Sequence, residues 1–335
     1  ALEYCIASVS VDDARAELKR HPDLLRITDD DRTLVSTREV LEEERQMLAF
    51  ARDGRGAVEP LVRGEPELGP PDADPQKCWK PDQERALIHA LSSTDRVVAI
   101  RGAAGTGKST ALAEYVRQLQ GRNLKPLAVA PTSVARDELQ ELGVEAHTVA
   151  KLLISPDLQT QLRDQVLIVD EAGAVGTRSM SRLFAIAEEQ GARVLLVGDA
   201  KQHASVERGD AFRLLQKQAG IRPAEITQIT RQRDLDYREA VESLSHGTPT
   251  ETQAGFDRLD AMQVIHEIEG DERYDILAER YAALSRQKKP GGKRKEVLVV
   301  SPTHAEGERV TEKIRETLKS AGQLDNQEQP FLRLT

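Results

Sequence analysis

Gly102-Ala103-Ala104-Gly105-Thr106-Gly107-Lys108-Ser109 is the stretch on which the reading of this 335-residue chain turns. It satisfies the pattern G-x-x-x-x-G-K-[ST] at every fixed position. Arg96-Val97-Val98-Ala99-Ile100 before it is a short, apolar, β-branched run of the kind that forms a buried strand. After it, Leu112, Tyr115, Val116 and Leu119 recur at helical spacing within residues 110–120. Strand, glycine loop and helix in that order turn a pattern into a phosphate-binding site. Glycines let successive backbone N–H groups point at phosphate oxygens, and the helix N-terminus adds partial positive charge. Lys108 is expected to reach the β- and γ-phosphates of ATP, and the Ser109 hydroxyl to bind Mg2+. Gly102, Ala103, Ala104, Gly105, Thr106, Gly107 and Thr110 are expected to complete the cradle.

Around this loop the chain alternates strand and helix. Strands are expected at 96–100, 126–130, 165–169 and 193–197, with helical stretches between them. That alternation predicts an α/β fold with a parallel sheet and crossover helices. Residues 1–70 are expected as a small N-terminal, α-rich unit, with helical periodicity at 11–20 and 37–51 and a cap at Ser36 or Thr37. The Pro-, Gly- and Asp-rich residues that follow read as a linker, taken as 71–78, and the phosphate-loop domain as 79–222. From 223 to 335 a second domain is expected to begin. Its apolar run Glu296-Val297-Leu298-Val299-Val300 opens a further α/β segment behind the basic loop 288–295.

Asp170-Glu171 follows the strand at 165–169, where an acidic pair can serve the metal and the attacking water. Asp170 is assigned to Mg2+ and Glu171 to activation of water. Gln202, just past the strand at 193–197, is assigned to sensing the γ-phosphate, although an amide closing its own loop has the same sequence signature. Gln83 lies upstream of the first strand, where an amide can pair with adenine N6 and N7. Arg231 is the candidate cation for charge on the transferring phosphoryl group, a role worth about 10³–10⁵ in rate in related reactions. Read alone, an arginine in this context is more often an ordinary surface arginine than a catalytic one.

Composition bounds the rest. Charged residues make up 31% and aromatics 3%, which suits a helix-rich α/β protein and leaves few rings for base stacking. A net charge of −9 excludes a uniformly basic nucleic-acid binder but not a local groove. Cys5 and Cys78 lack metal-ligand spacing and read as reduced thiols of a cytoplasmic protein. No apolar run is long enough to insert in a membrane, and no signal segment opens the chain. A start at Ala1 rather than Met is what a processed or excised piece shows.

Gln83, the phosphate loop, Ala130-Pro131-Thr132-Ser133, Ala146-His147-Thr148, Asp170-Glu171, Gly198-Asp199…Gln202 and Thr230-Arg231-Gln232 stand in the order of the superfamily-one helicase motifs. The set resembles the RecD-like, 5′-to-3′ branch, and most of all the helicase portion of conjugative relaxases of the TraI/TrwC type. Val299-Val300-Ser301-Pro302-Thr303-His304-Ala305-Glu306 is similar to a later motif of that branch, and Thr37-Arg38-Glu39, Glu42-Glu43-Glu44-Arg45 and Asp53-Gly54-Arg55-Gly56 also look like these relaxases. The resemblance implies two RecA-like domains, the second incomplete here because the last two family motifs are not found. It implies single-stranded DNA as partner, touched by Pro131, Thr132, His147 and Thr148 on the first domain and by Pro302, Thr303 and His304 on the second. It further implies a conjugation coupling protein or type IV secretion machinery and relaxosome proteins as partners. The stretch 154–164 leaves room for at most a small strand-splitting pin. The tyrosine nucleophile and three-histidine site of a relaxase are not found, so a nicking domain is expected upstream. Two rival readings stand beside the motor: a free-standing RecD-like repair helicase, and a non-motor module for single-stranded DNA binding or secretion recognition on a helicase scaffold.

Overall fold

The computed structural model describes residues 10–29, 32–103, 105–199, 207–228, 235–246, 248–288, 292 and 294–325. Helix α1 (Val11–Arg20) starts at Ser10, whose hydroxyl accepts from the Asp13 N–H at 3.0 Å. An antiparallel pair follows, β1 (Leu24–Asp29) and β2 (Arg32–Thr37), with Leu24 opposite Thr37. Thr37 then caps α2 (Arg38–Asp53) by accepting from the Val40 N–H.

A six-stranded sheet carries the remainder of the first unit. Its strands are β3 (Val97–Gly102), β4 (Leu127–Ala130), β5 (Glu145–Thr148), β6 (Val166–Val169), β7 (Arg193–Gly198) and β8 (Ala224–Ile226). The spatial order is β5-β4-β6-β7-β3-β8, and every pairing is parallel. Side chains alternate across a strand, so both faces of this sheet must be covered. Val97, Ala99, Leu127, Val129, Leu167, Val169, Val194 and Leu196 face one core. Val98, Ile100, Ala128, Ala130, Val166, Ile168, Leu195 and Val197 face the other.

On the second face lie α3 (Pro81–Ser92), α4 (Lys108–Gln120) and α5 (Ser133–Glu141), which bury Leu87, Leu91, Leu112, Tyr115, Leu119 and Leu139. On the first face lie α6 (Val149–Ile154), α7 (Pro156–Thr160), α8 (Thr177–Glu189) and α9 (Ala211–Gln218). Helix α2 joins them there. Its Met47, Phe50 and Ala51 are buried in this core, and the Phe50 and Phe184 rings stand 4.8 Å apart. Arg52 and Arg55 donate to the carbonyls of Gln218 and Ala219 at the end of α9, cations placed where a helix dipole is negative. Helix α2 is thus part of the sheet's covering.

Residues expected as a linker are anchored at their two ends. Pro71 is buried in a short 3-10 turn (Pro71–Ala73), and the Trp79 indole N–H donates to the Gly69 carbonyl at 2.6 Å. Residues 154–164, expected to hold at most a small pin, form α7 and a turn.

The chain forms two compact units, Ala1–Arg238 and Glu239–Thr335. Helix α10 (Leu235–His246) spans the division, and the second unit continues with α11 (Pro249–Ala261), α12 (Glu272–Ser285) and α13 (His304–Ser320). Helices α12 and α13 are joined by Lys313–Asp275 (3.2 Å) and Arg273–Glu306 (2.9 Å) ion pairs. The expected strand at 296–300 has no ladder partner among the described residues, and Leu298 and Val300 are 86% and 80% exposed. A strand forms only where a neighbour takes up its backbone N–H and C=O groups, and the sequence pattern alone could not supply one.

Candidate functional site

Most of the candidate residues of the first unit lie at the C-terminal ends of the parallel strands. Strand β3 ends at Gly102, and the chain turns through Gly105 and Gly107, both at positive φ (78° and 85°), before Lys108 starts α4. Gly102 is required by close approach: a Cβ there would lie 2.7 Å from the Ile226 carbonyl oxygen and 2.8 Å from Thr106 Oγ1. Thr106 is fully buried and its hydroxyl donates to the Ala103 carbonyl at 2.9 Å, which ties the loop across its base. The Lys108 ammonium donates to the Gly102 and Ala103 carbonyls at 2.5 and 2.9 Å, so the cation is poised over the loop. Ser109 and Thr110 follow in the first turn of α4, and the Thr110 hydroxyl donates to Asp72 at 2.9 Å.

Strand β6 ends two positions away in the sheet, and Asp170-Glu171 leave it beside this loop. The Asp170 N–H extends the ladder to the Val129 carbonyl at 2.9 Å, and the Asp170 carboxylate accepts the Glu171 N–H at 2.9 Å. Burial pushes the Asp170 carboxyl above its usual range, against the Glu171 N–H and the Lys108 charge. The Glu171 carboxyl is also raised, by burial, by Asp170 and by Glu138 from α5. Glu171 sits in left-handed backbone (φ 49°), a strained place for a glutamate and a frequent mark of a functional turn. The structure therefore gathers Lys108, Ser109, Asp170 and Glu171, and Lys108 is near enough for both carboxylates to feel its charge.

Gln83 reaches the same loop from α3. Its amide Nε2 donates to the Thr106 carbonyl at 3.1 Å and its Oε1 accepts from the Lys80 N–H at 3.4 Å. Sequence reasoning missed the residue beside it. Asp82 is 3% exposed and accepts backbone N–H groups from Gln83 (2.9 Å), Thr227 (2.8 Å) and Gln228 (2.9 Å). An acid in the first turn of a helix signals a dipole partner, but nothing local tells that its other partners lie some 145 positions along the chain.

Pro131 and Thr132 follow β4, and His147 and Thr148 close β5. Strands β4 and β5 are neighbours, with Val129 opposite His147 and Ala130 opposite Thr148, so the four residues share one corner of the sheet. Thr132 and Thr148 cap α5 and α6 by accepting from Ala135 N–H and Lys151 N–H, each at 3.2 Å, and His147 Nε2 lies 3.2 Å from Glu145 Oε1. Pro302, Thr303 and His304 lie in the second unit at the start of α13, where Thr303 accepts from the Glu306 N–H. Ala104, Gln202 and Arg231 lie outside the described residues.

Residues 79–270 match the family described as AAA domain. Over 241 residues the chain is 28% identical to the multifunctional conjugation protein TraI of Escherichia coli (strain K12), a match spanning 69% of this chain and 13% of TraI. Over 214 residues it is 34% identical to the RecBCD enzyme subunit RecD of Mycobacterium tuberculosis (strain CDC 1551 / Oshkosh), spanning 54% of this chain and 35% of RecD. Among solved structures it is similar to Pif1 helicase from Candida albicans, with 22% identity and a TM-score of 0.45 over 63% of this chain and 56% of that one. The chain thus spans a small part of TraI and about a third of RecD. With more than half of its length inside the family match, the chain belongs to the AAA domain family, and within it is a RecD-like, superfamily-one helicase-type domain related to TraI.

Proposed function

We propose that this chain is the ATP-hydrolysing core of a motor that moves 5′-to-3′ along single-stranded DNA. The observation that carries the reading is the meeting of Lys108 with Asp170 and Glu171 over a glycine loop at the ends of parallel strands. A hydroxyl at Ser109 and a half-buried carboxylate at Asp170, both oxygen donors with several coordination positions left for water and phosphate, fit Mg2+. When bound, that ion would neutralise charge on the β- and γ-phosphate oxygens. Lys108 would leave the loop carbonyls for the same oxygens. Glu171, its carboxyl raised toward the working range of a base, would orient water and accept its proton on a carboxylate oxygen. Arg231 would meet transition-state charge, Gln202 would report loss of the γ-phosphate and Gln83 would hold adenine.

In this reading residues 79–222 form the first RecA-like domain and a second begins near 223. Pro131, Thr132, His147 and Thr148 on one and Pro302, Thr303 and His304 on the other grip the DNA backbone in alternation. The TraI likeness supports a conjugative setting: plasmid unwinding in the cytoplasm beside relaxosome proteins and a coupling protein of type IV secretion. The RecD likeness supports a second reading, a repair helicase with the same motor. The test is ATP turnover by this chain with and without oligo-dT, beside Lys108→Ala. DNA-stimulated turnover lost in the variant supports the motor. Turnover that ignores DNA or survives Lys108→Ala ends the reading.

A further inference from the structure

We infer that Gly173 and Gly198 are positioning residues for Glu171: their missing side chains let the turn that carries it rest, backbone on backbone, against the end of β7. The inference rests on the phosphoryl-transfer reading, in which Glu171 orients the attacking water, and adds two residues to it. Strands β6 and β7 are parallel neighbours whose last paired residues are Val169 and Leu196. Past that rung the chain of β6 leans the other way, and the Asp170 N–H bonds the Val129 carbonyl of β4 at 2.9 Å. Glu171 (φ 49°, ψ 39°) then turns the chain, and a 3-10 turn (Ala172–Ala174) comes back against the end of β7. Two glycines make that contact. A Cβ on Gly173 would lie 2.6 Å from the Asp199 carbonyl oxygen, and a Cβ on Gly198 would lie 3.0 Å from the Ala172 nitrogen and 3.1 Å from the Gly173 nitrogen.

Every one of these partners is a main-chain atom, which cannot rotate aside as a side-chain tip does. Non-bonded heavy atoms are at their best about 3.5–4.0 Å apart, so the two backbones stand this close only while both positions carry hydrogen. A glutamate in left-handed backbone is strained, and such a conformation persists only where its surroundings over-determine it. Here three constraints act together. The Asp170 carboxylate accepts the Glu171 N–H at 2.9 Å, and the Glu171 carbonyl accepts the Ala174 N–H at 2.8 Å. Ala172 and Val175 are buried in the first core and pull the turn down onto the sheet. The glycine contact sets how far down it goes. Strand β7 lies between β6 and β3 in the sheet, so the end on which this turn rests stands between Glu171 and the phosphate loop. The loop has no part in the contact, because its own Gly102 packs on Ile226 of β8. Neither Gly173 nor Gly198 touches a reacting atom, and their effect belongs in turnover rather than affinity.

The experiment is single-turnover ATP hydrolysis and calorimetric ATP binding by the full chain carrying Gly173→Ala or Gly198→Ala, each in wild-type and Glu171→Gln backgrounds, with Lys108→Ala as control. Misplacement of a catalytic group by about 1 Å can cost roughly 100-fold, so the hydrolysis rate is expected to fall roughly 10- to 100-fold in Gly173→Ala. Gly198→Ala, whose contacts are looser, should cost less, roughly 3- to 10-fold. Kd for ATP should stay within about threefold in both, because the phosphate loop is intact. In the Glu171→Gln background either substitution should cost less than about twofold, because the group it positions is already gone. Should Gly173→Ala not fold, as judged by its melting curve, Gly198→Ala decides. An equal cost in both backgrounds, or a loss that appears as weaker ATP binding, overturns the proposal. Lys108-dependent turnover that both alanines leave intact removes this proposal alone. Turnover that is absent from the wild type, or survives Lys108→Ala, removes the phosphoryl-transfer reading and this proposal with it.

Discussion

At Gly102 a single hydrogen atom decides whether β3, β8 and the phosphate loop can coexist. A methyl group there would sit 2.7 Å from a backbone oxygen of Ile226, which cannot swing away as a side-chain tip could. Gly102→Ala should therefore lower stability by about 1–3 kcal/mol, the usual range for overpacking a filled site, read from chemical denaturation. An unchanged midpoint would show that β8 is free to yield. Glu171 offers a chemical test at the same scale. Its amide analogue keeps the shape and loses the base, so Glu171→Gln should retain ATP affinity within a few-fold while turnover falls about 100-fold or more. Burial and Asp170 already disfavour its charge, so the amide should leave the melting temperature of the nucleotide-free protein level with wild type or above it. Normal turnover in that variant would move the base elsewhere.

Among the elements, α4 joins the phosphate loop to the segment that precedes the sheet. Its N-terminus forms the phosphate loop, and its side holds the segment at 67–79 through Glu114. That buried carboxylate accepts the Gly69 N–H (2.9 Å), Gln118 Nε2 (2.8 Å) and a two-point Arg117 contact (2.6 and 2.7 Å). Burial pushes Glu114 up, but these donors prevail and hold it below its ordinary value of 4.5. A carboxyl depressed on folding contributes stability above its unfolded value and loses it as pH falls through the folded one. Glu114→Gln should thus cost about 1–3 kcal/mol at pH 7. The gap from wild type should close as pH drops below 4.5, seen in denaturation curves at a series of pH values. A gap that stays constant with pH would assign the cost to shape alone. The same elements show what a sequence can and cannot disclose. Strands β3, β4, β6 and β7 are buried on both faces and stand out as continuous apolar runs. Strands β5 (Glu145-Ala146-His147-Thr148) and β8 (Ala224-Glu225-Ile226) are short, polar edge strands whose pairing comes from neighbours, and no strand was expected there. The site followed the same rule. Lys108, Ser109, Asp170 and Glu171 sit in local patterns and were legible, whereas Asp82, and Glu114 in its contact with Gly69, act through partners distant in the chain and were not.

Across the whole molecule, charge runs against the proposed partner. A net charge of −9 repels a polyanion at long range, so single-stranded DNA must be held by local contacts that outweigh that field. The residues proposed for the grip (Pro131, Thr132, His147, Thr148, Pro302, Thr303 and His304) carry hydroxyls, imidazoles and backbone groups rather than lysines or arginines. Neutral donors to phosphate displace few counterions, and binding to single strands weakens with salt by about 0.7 log units per phosphate neutralised, per log unit of salt. Oligo-dT affinity should therefore show a shallow salt slope, of magnitude below about 3, where a basic groove making six or more ionic contacts would exceed about 4. Thr132→Ala should weaken binding without changing that slope, because the lost contact is uncharged. Thr132→Ser should restore it, since serine keeps the hydroxyl that also caps α5. A slope steeper than about 4 would place the grip on the basic side chains of the chain instead, among them the run around Lys288 and Arg294. Unchanged affinity in Thr132→Ala would remove the β4–β5 corner from the DNA path.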